Sequence, residues 1–120
     1  MAENIIKIKS FDFALRIVEL YKFLCADKKE FVLSKQILRS GTAVGALIRE
    51  AEQAESKLDF IHKLAIAQKE ANETDYWLEL LYQSEYLNET QFQSLKKDIL
   101  EINKIVASII ITTKQRIGKK

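Results

Sequence analysis

The sequence predicts an all-α fold, an antiparallel up-down-up-down four-helix bundle, and three observations lead there. The chain has 120 residues, no proline and only three glycines, too few turn residues for a β-rich protein of this size. Its apolar residues recur in alternating steps of four and three over four long segments, which is the period of one helix face. Three short polar breaks separate those segments, and short links make consecutive helices antiparallel neighbours. The breaks argue against the competing architecture, one long coiled coil. The apolar share, 48%, is that of an ordinary globular protein, and the length fits one domain over 1–120.

The first helix is expected over about 11–26, with Ser10 as its N-cap and Phe13, Ile17, Leu20 and Leu24 as its seam. A charged link, DKKE at 27–30, leads to a second helix over about 31–55. There Leu33, Ile37, Ser40, Val44, Leu47, Ala51 and Ala54 keep the alternation. Ser56 opens SKLD, a capping-box variant with Asp59 in the place usual for glutamate. The third helix, about 57–84, turns Phe60, Leu64, Ala67, Ala71, Thr74, Leu78 and Leu81 inward. Asn88 opens NETQ, a second cap with Gln91 reaching back. The fourth helix, about 89–116, carries Phe92, Leu95, Ile99, Ile102, Val106, Ile109 and Thr113, and RIGKK reads as a fraying basic tail.

Within the second helix, SGTAVGALIREA (40–51) holds Gly41 and Gly45, four residues apart. Each costs about 1 kcal/mol relative to alanine in a helix interior. Both fall beside the seam on the side of Ile48, so the expected return is close approach of another helix backbone, within the bundle or between subunits. A kink is the alternative. A phosphate loop fails, since GTAVG lacks a following Gly-Lys-Ser/Thr and a preceding strand.

A bundle helix needs one apolar stripe. The third helix also has a flank of Ile66, Glu70, Glu73 and Trp77, and the fourth places Ile105, Ile110 and Ile111 off its seam. The excess predicts a second buried surface, and hence self-association. Trp77, Ile110, Ile111, Gly41 and Gly45 are the candidate subunit contacts. Glu50, Glu70 and Glu73, with Arg39 among the cations at hand, are candidate ion pairs that fix register.

Charge is uneven. The net charge is +2; residues 57–87 hold three lysines and six acids, and residues 88–120 hold seven cations and three acids. Lys96, Lys97, Lys104, Lys114, Arg116, Lys119 and Lys120 are therefore the candidate nucleic-acid contacts, with a solvated face as the plainer reading.

No catalytic or metal constellation emerges. A di-iron bundle needs two Glu-x-x-His pairs and two further glutamates, and this chain has one histidine, His62, with Asp59 three residues before it. No metal and no cofactor is expected, and the chain reads as a non-enzyme. Cys25 has no partner for an internal disulfide. The first residues, MAENIIKIKSFDF, lack the apolar core of a signal peptide, and no apolar run approaches the roughly 20 residues of a membrane span. A cytoplasmic location without a membrane partner is the expectation.

FDFALRI (11–17), SGTAVGALIREA, DFIHKL (59–64) and above all KEANETDYWLELL (69–81) resemble the 23S rRNA intervening-sequence proteins, also called the four-helix bundle protein family. The likeness covers nearly the whole chain and is weakest in the fourth helix. Ala46 followed by Leu47 departs from the alanine-asparagine pair frequent in relatives. The family is similar to the accessory protein of diversity-generating retroelements, a pentameric barrel that binds a reverse transcriptase and nucleic acid. The resemblance therefore implies a homo-oligomer, a pentamer in particular, with RNA or DNA and a reverse transcriptase or other protein as partners. It brings no catalytic residues. The expected function is a non-enzymatic oligomeric scaffold for nucleic acid or a nucleic-acid-processing protein; the alternative is a protein–protein interaction module that binds no nucleic acid.

Overall fold

A computed structural model describes residues 2–118. Four helices follow one another: α1 (Ala2–Ala26), α2 (Leu33–Glu52), α3 (Lys57–Gln83) and α4 (Glu89–Gly118). No strand occurs among the described residues.

Cross-helix contacts give the topology. Ser10 and Ile17 of α1 face Gly45 and Gly41 of α2. Arg39 of α2 meets Glu73 of α3, while Glu50 meets Lys63. Asp75 of α3 meets Lys96 of α4, while Asn72 meets Asn103. Lys9 and Arg16 of α1 reach Glu101 and Asp98 of α4. In every pair the residue numbers rise on one helix as they fall on the other, so each neighbour is antiparallel and α4 closes against α1.

The predicted seams line the core. Phe13, Ile17, Leu24, Ile37, Val44, Leu64, Leu78, Leu81, Ile99, Ile102 and Val106 are all buried. Leu33 and Phe60, at the start of their seams, are only partly so, and so is Leu47 in mid-seam, where the neighbouring Ile48 takes the core position instead. Two small polar residues sit in this core, where the Ser40 and Thr74 hydroxyls hydrogen-bond at 2.9 Å. Burial costs a polar group little when its partner is buried with it.

Two helix starts differ from expectation, and α2 ends at Glu52 rather than near 55. Helix α1 does not begin at residue 11: Ser10 is buried mid-helix, and its Oγ donates to the carbonyl of Lys7. Ile6 adds one more buried turn to the seam. A serine cap at Ser10 is thus replaced by a serine small enough to sit against Gly45. Helix α2 starts at Leu33, two residues later than expected, because Glu30 folds back over its first turn. One carboxylate oxygen accepts from the N–H groups of Val32 and Leu33 at 3.1 and 3.0 Å, the other from Ser34 at 2.6 Å. Three of the donors that a helix start leaves without intrahelical partners are satisfied by one side chain.

The other two caps form as read. The Asp59 N–H donates to Ser56 Oγ at 3.0 Å, although the Asp59 carboxylate takes the N–H of Glu55. Asn88 and Gln91 exchange backbone N–H for side-chain oxygen in both directions, at 2.8 and 2.9 Å.

Candidate interaction surfaces

The two glycines are an intrachain device. A Cβ on Gly41 would stand 2.8 Å from Ile17 Cγ1, and one on Gly45 would stand 3.2 Å from the carbonyl oxygen of Ser10. Helices α1 and α2 approach closely at these two points, and α2 runs unbroken through both. Of the two expected readings, close packing within the bundle is the one these contacts match, and the free faces of the glycines are spent there. The placing of Ile110 outside the core is corrected. It is buried at 8% exposure beside Ile109, so α4 presents a wide core stripe there. Ile105 is partly buried against the same core. Ile111 alone of that group faces out, at 57%.

The flank of α3 is held by one arginine. Arg39 on α2 donates from Nη2 to Glu73 Oε2, and its Nη1 lies 3.2 Å from Glu70 Oε1. That second approach lacks hydrogen-bonding geometry, so Glu70 Oε1 has a charge partner but no hydrogen bond. Trp77 packs partly buried against the core, and its Nε1 donates to the same Glu73 oxygen at 3.1 Å. The hydrogen bonds from Arg39 and Trp77 hold the Glu73 carboxyl below its ordinary value; Glu73 in turn raises Arg39. Both partners are substantially exposed, so the network sets α2–α3 register more than it adds stability. Glu50 lies in the last turns of α2, half-exposed, paired with Lys63 at 3.2 Å.

The basic segment separates into unlike parts. Lys96 is half-buried between Asp75 at 2.6 Å and Glu79 at 3.7 Å, and its ammonium stands above its ordinary value chiefly through the Asp75 hydrogen bond. It has no free charge to offer a phosphate, which corrects its place among the contacts. Lys97, Lys104, Lys114 and Arg116 are exposed and make no ion pair among the described residues. Lys119 and Lys120 lie outside the described residues.

Register adds Lys57. The Asn72–Asn103 and Asp75–Lys96 contacts bring the start of α3 level with the last turns of α4. Lys57, Lys114 and Arg116 therefore share one end of the bundle, with all three side chains exposed. The cavity at that end, about 410 Å³, is walled mainly by Ile6, Ile48, Ala51, Phe60, Leu64 and Ile109, with Glu52, Ser56 and Lys57 also lining it.

The chemistry-bearing residues are scattered. His62 is exposed on α3, and Cys25 Sγ, half-buried, is 3.8 Å from Ser34 Oγ. No three of His, Cys, Asp and Glu gather as a metal site among the described residues. No described helix is long and apolar enough to cross a membrane.

One surface escaped the sequence reading. On the side of α1 away from the core, Ile5, Ile8, Phe11 and Leu15 stand 47%, 62%, 46% and 52% exposed. Arg49 of α2 lies over the Phe11 ring, 5.0 Å from its centroid. Their steps of three, three and four were the available signal. It was hidden by starting the helix at residue 11, which left Ile5 and Ile8 in a presumed tail.

The chain is similar to a crystallised protein of unknown function from the S23 ribosomal protein family of Bacteroides thetaiotaomicron VPI-5482. The two share 63% sequence identity over 92% of this chain and 98% of that one, with a TM-score of 0.91. No curated protein matches. The family model described as 23S rRNA-intervening sequence protein matches residues 2–108. With nearly all of the bundle inside that match, the chain belongs to the 23S rRNA-intervening sequence protein family.

Proposed function

We propose that the chain is a non-enzymatic helical scaffold that assembles with copies of itself and binds nucleic acid at the basic end of the bundle. The observation that carries the reading is the pairing state of the cations. Lys7, Lys9, Arg16, Arg39, Lys63 and Lys96 are each engaged by a carboxylate on a neighbouring helix. Among the exposed cations that are not, Lys57, Lys114 and Arg116 converge on one end, where the C-terminal basic segment adds to them in sequence; Lys28, Lys29 and Lys35 lie unpaired toward the other. Unpaired, exposed cations are the ones that can release counterions from a phosphate backbone. The apolar outer side of α1 supports assembly, because a contiguous exposed apolar patch on a small protein marks an interaction site. A pentamer, with a reverse transcriptase as the protein partner, is the form that the family resemblance implies. Assembly would repeat a weak basic end around an axis and raise its avidity.

The non-enzymatic part rests on the carboxylates. Glu70 and Glu73 are committed to Arg39, Glu30 and Asp59 to helix starts, and Asp75 to Lys96. Asp59 shares an open surface groove with Glu50, Glu55 and Lys63, but Glu50 is paired with Lys63 and no histidine or cysteine lines it, so the acid–base pair that proton-transfer chemistry requires is not assembled there.

Fluorescence anisotropy with single-stranded and duplex DNA and RNA, from about 50 to 200 mM salt, tests the nucleic-acid reading. Binding should be indifferent to base sequence and fall steeply with salt. Replacing Lys114, Arg116, Lys119 and Lys120 with glutamine should lower both affinity and salt slope. Absence of binding at low salt, or binding unmoved by those changes, leaves the protein–protein interaction module in its place.

A further inference from the structure

We infer that the outer side of α1 docks on the outer side of α4 of a second copy, head to tail; this rests on the self-association proposed above. The two surfaces carry complementary charged lines, and each has exposed apolar side chains, four on α1, with Arg49 over one of them, and two on α4. On α1, the Ile8, Phe11 and Leu15 stripe is edged by Asp12 and Glu19, two exposed acids seven residues apart. On α4, Leu100 and Ile111 stand 51% and 57% exposed beside Lys97 and Lys104, two exposed lysines also seven residues apart. Seven residues are two helical turns, about 10.5 Å, so each charged pair lies along one line of its helix. One acidic line and one basic line of equal pitch, each beside exposed apolar side chains, can meet in register.

Within the chain neither line is satisfied. Asp12, Lys97 and Lys104 make no ion pair among the described residues, and Glu19 has only Lys22 on its own helix, 3.5 Å away with both side chains largely exposed. The like-on-like alternative, α1 against α1 about a two-fold axis, would set Asp12 beside the same acidic edge of its partner, which costs energy. Area agrees in scale. At about 200 Å² for a large side chain, the four half-exposed residues of α1 offer roughly 400 Å² of apolar surface, near half of the ~800 Å² each partner gives a stable interface. A contact between two different patches leaves one of each free on every copy, and so continues into a ring or a filament.

The test is native mass measurement at micromolar concentration on three preparations. The first variant carries Ile8→Lys and Leu15→Lys, the second Lys97→Glu and Lys104→Glu. All the substituted side chains are exposed, so helical circular dichroism and the unfolding midpoint should match the parent. The parent should be oligomeric and each variant alone monomeric, with association weakened roughly tenfold or more. An equimolar mixture of the two variants should stop at a heterodimer, because each chain retains one intact surface. Adding Asp12→Lys and Glu19→Lys to the second variant should restore assembly. A monomeric parent would overturn the self-association reading itself. An oligomeric parent whose variants stay oligomeric, or a mixture that yields no heterodimer, would overturn this pairing of surfaces and leave self-association standing.

Discussion

Replacing Glu30 with alanine should cost more than its place in a four-residue link suggests. The side chain is 8% exposed and accepts from three consecutive N–H groups at the start of α2. Without it the three donors fare differently. Val32 is exposed, so its N–H regains water; Leu33 is half-exposed and regains it in part; Ser34 is fully buried and regains none. An orphaned buried donor costs about 1–3 kcal/mol, and losing a cap adds about 0.5–2 kcal/mol. A total of about 1.5–5 kcal/mol at neutral pH follows, read as a lower midpoint in urea at matched protein concentration, since self-association would otherwise shift it. The pH dependence carries a sign. Burial pushes the Glu30 carboxyl up, but the N–H groups of Leu33, Ser34 and Val32 and the Ser34 hydroxyl together hold it below its ordinary 4.5. The folded state thus favours the carboxylate. Its contribution is complete above the unfolded value and is lost as pH falls through the depressed folded one. Parent and Glu30→Gln should therefore converge in stability only in that acidic range. A Glu30→Ala loss below about 0.5 kcal/mol at neutral pH, the ordinary scatter of surface substitutions, would refute the cap.

Three further outcomes follow from the packing. Leu64→Ala and Ile102→Ala, each removing a fully buried side chain, should lose about 2–5 kcal/mol in denaturant titration, and losses under about 0.5 kcal/mol at both would mean the core faces are misassigned. Gly41→Ala should destabilise by about 1–3 kcal/mol despite alanine's better helix propensity, because its Cβ would meet Ile17 at 2.8 Å; Gly45→Leu should do so more severely, and a stabilised Gly41→Ala would overturn the close approach. A double-mutant cycle on Arg39 and Glu73 should give about 0.2–1 kcal/mol of coupling that shrinks with salt, given side chains 51% and 37% exposed.

The inward faces were legible because burial imposes a period on the sequence, and four seams repeat it. Caps were legible where they use short side chains at the usual spacing, as at Ser56 and Asn88. Glu30 was not, because a longer acid acting from two residues before the cap position has no fixed signature and reads as link charge. Ser10 misled for the opposite reason: a serine before an apolar run looks like a cap, and only the Gly45 backbone opposite shows that small size was its use. Ile110 was placed outside the core because one seam was assumed per helix, whereas α4 buries Ile109 and Ile110 side by side. The pairing of Lys96 depends on the α3–α4 register, which net charge along a segment cannot supply. Assembly and nucleic-acid binding lie a step beyond, since they concern molecules the chain meets rather than contacts within it.

The antiparallel closure of α4 on α1 has a topological consequence. Ile6 and Ile109 line the same end cavity, so the first and last helices bring their outer ends side by side. By the Lys9–Glu101 and Arg16–Asp98 contacts Ala2 stands level with about residues 108–112 of α4, so Gly118 overhangs it by roughly 9–15 Å at 1.5 Å per residue. The described chain is thus nearly a closed loop. A short flexible linker from residue 118 to residue 2, with new ends opened in the link around Gln53, would give a circular permutant that keeps all four helix pairs. It would make the α1–α4 pairing a local event and reduce the entropy cost of bringing those distant segments together.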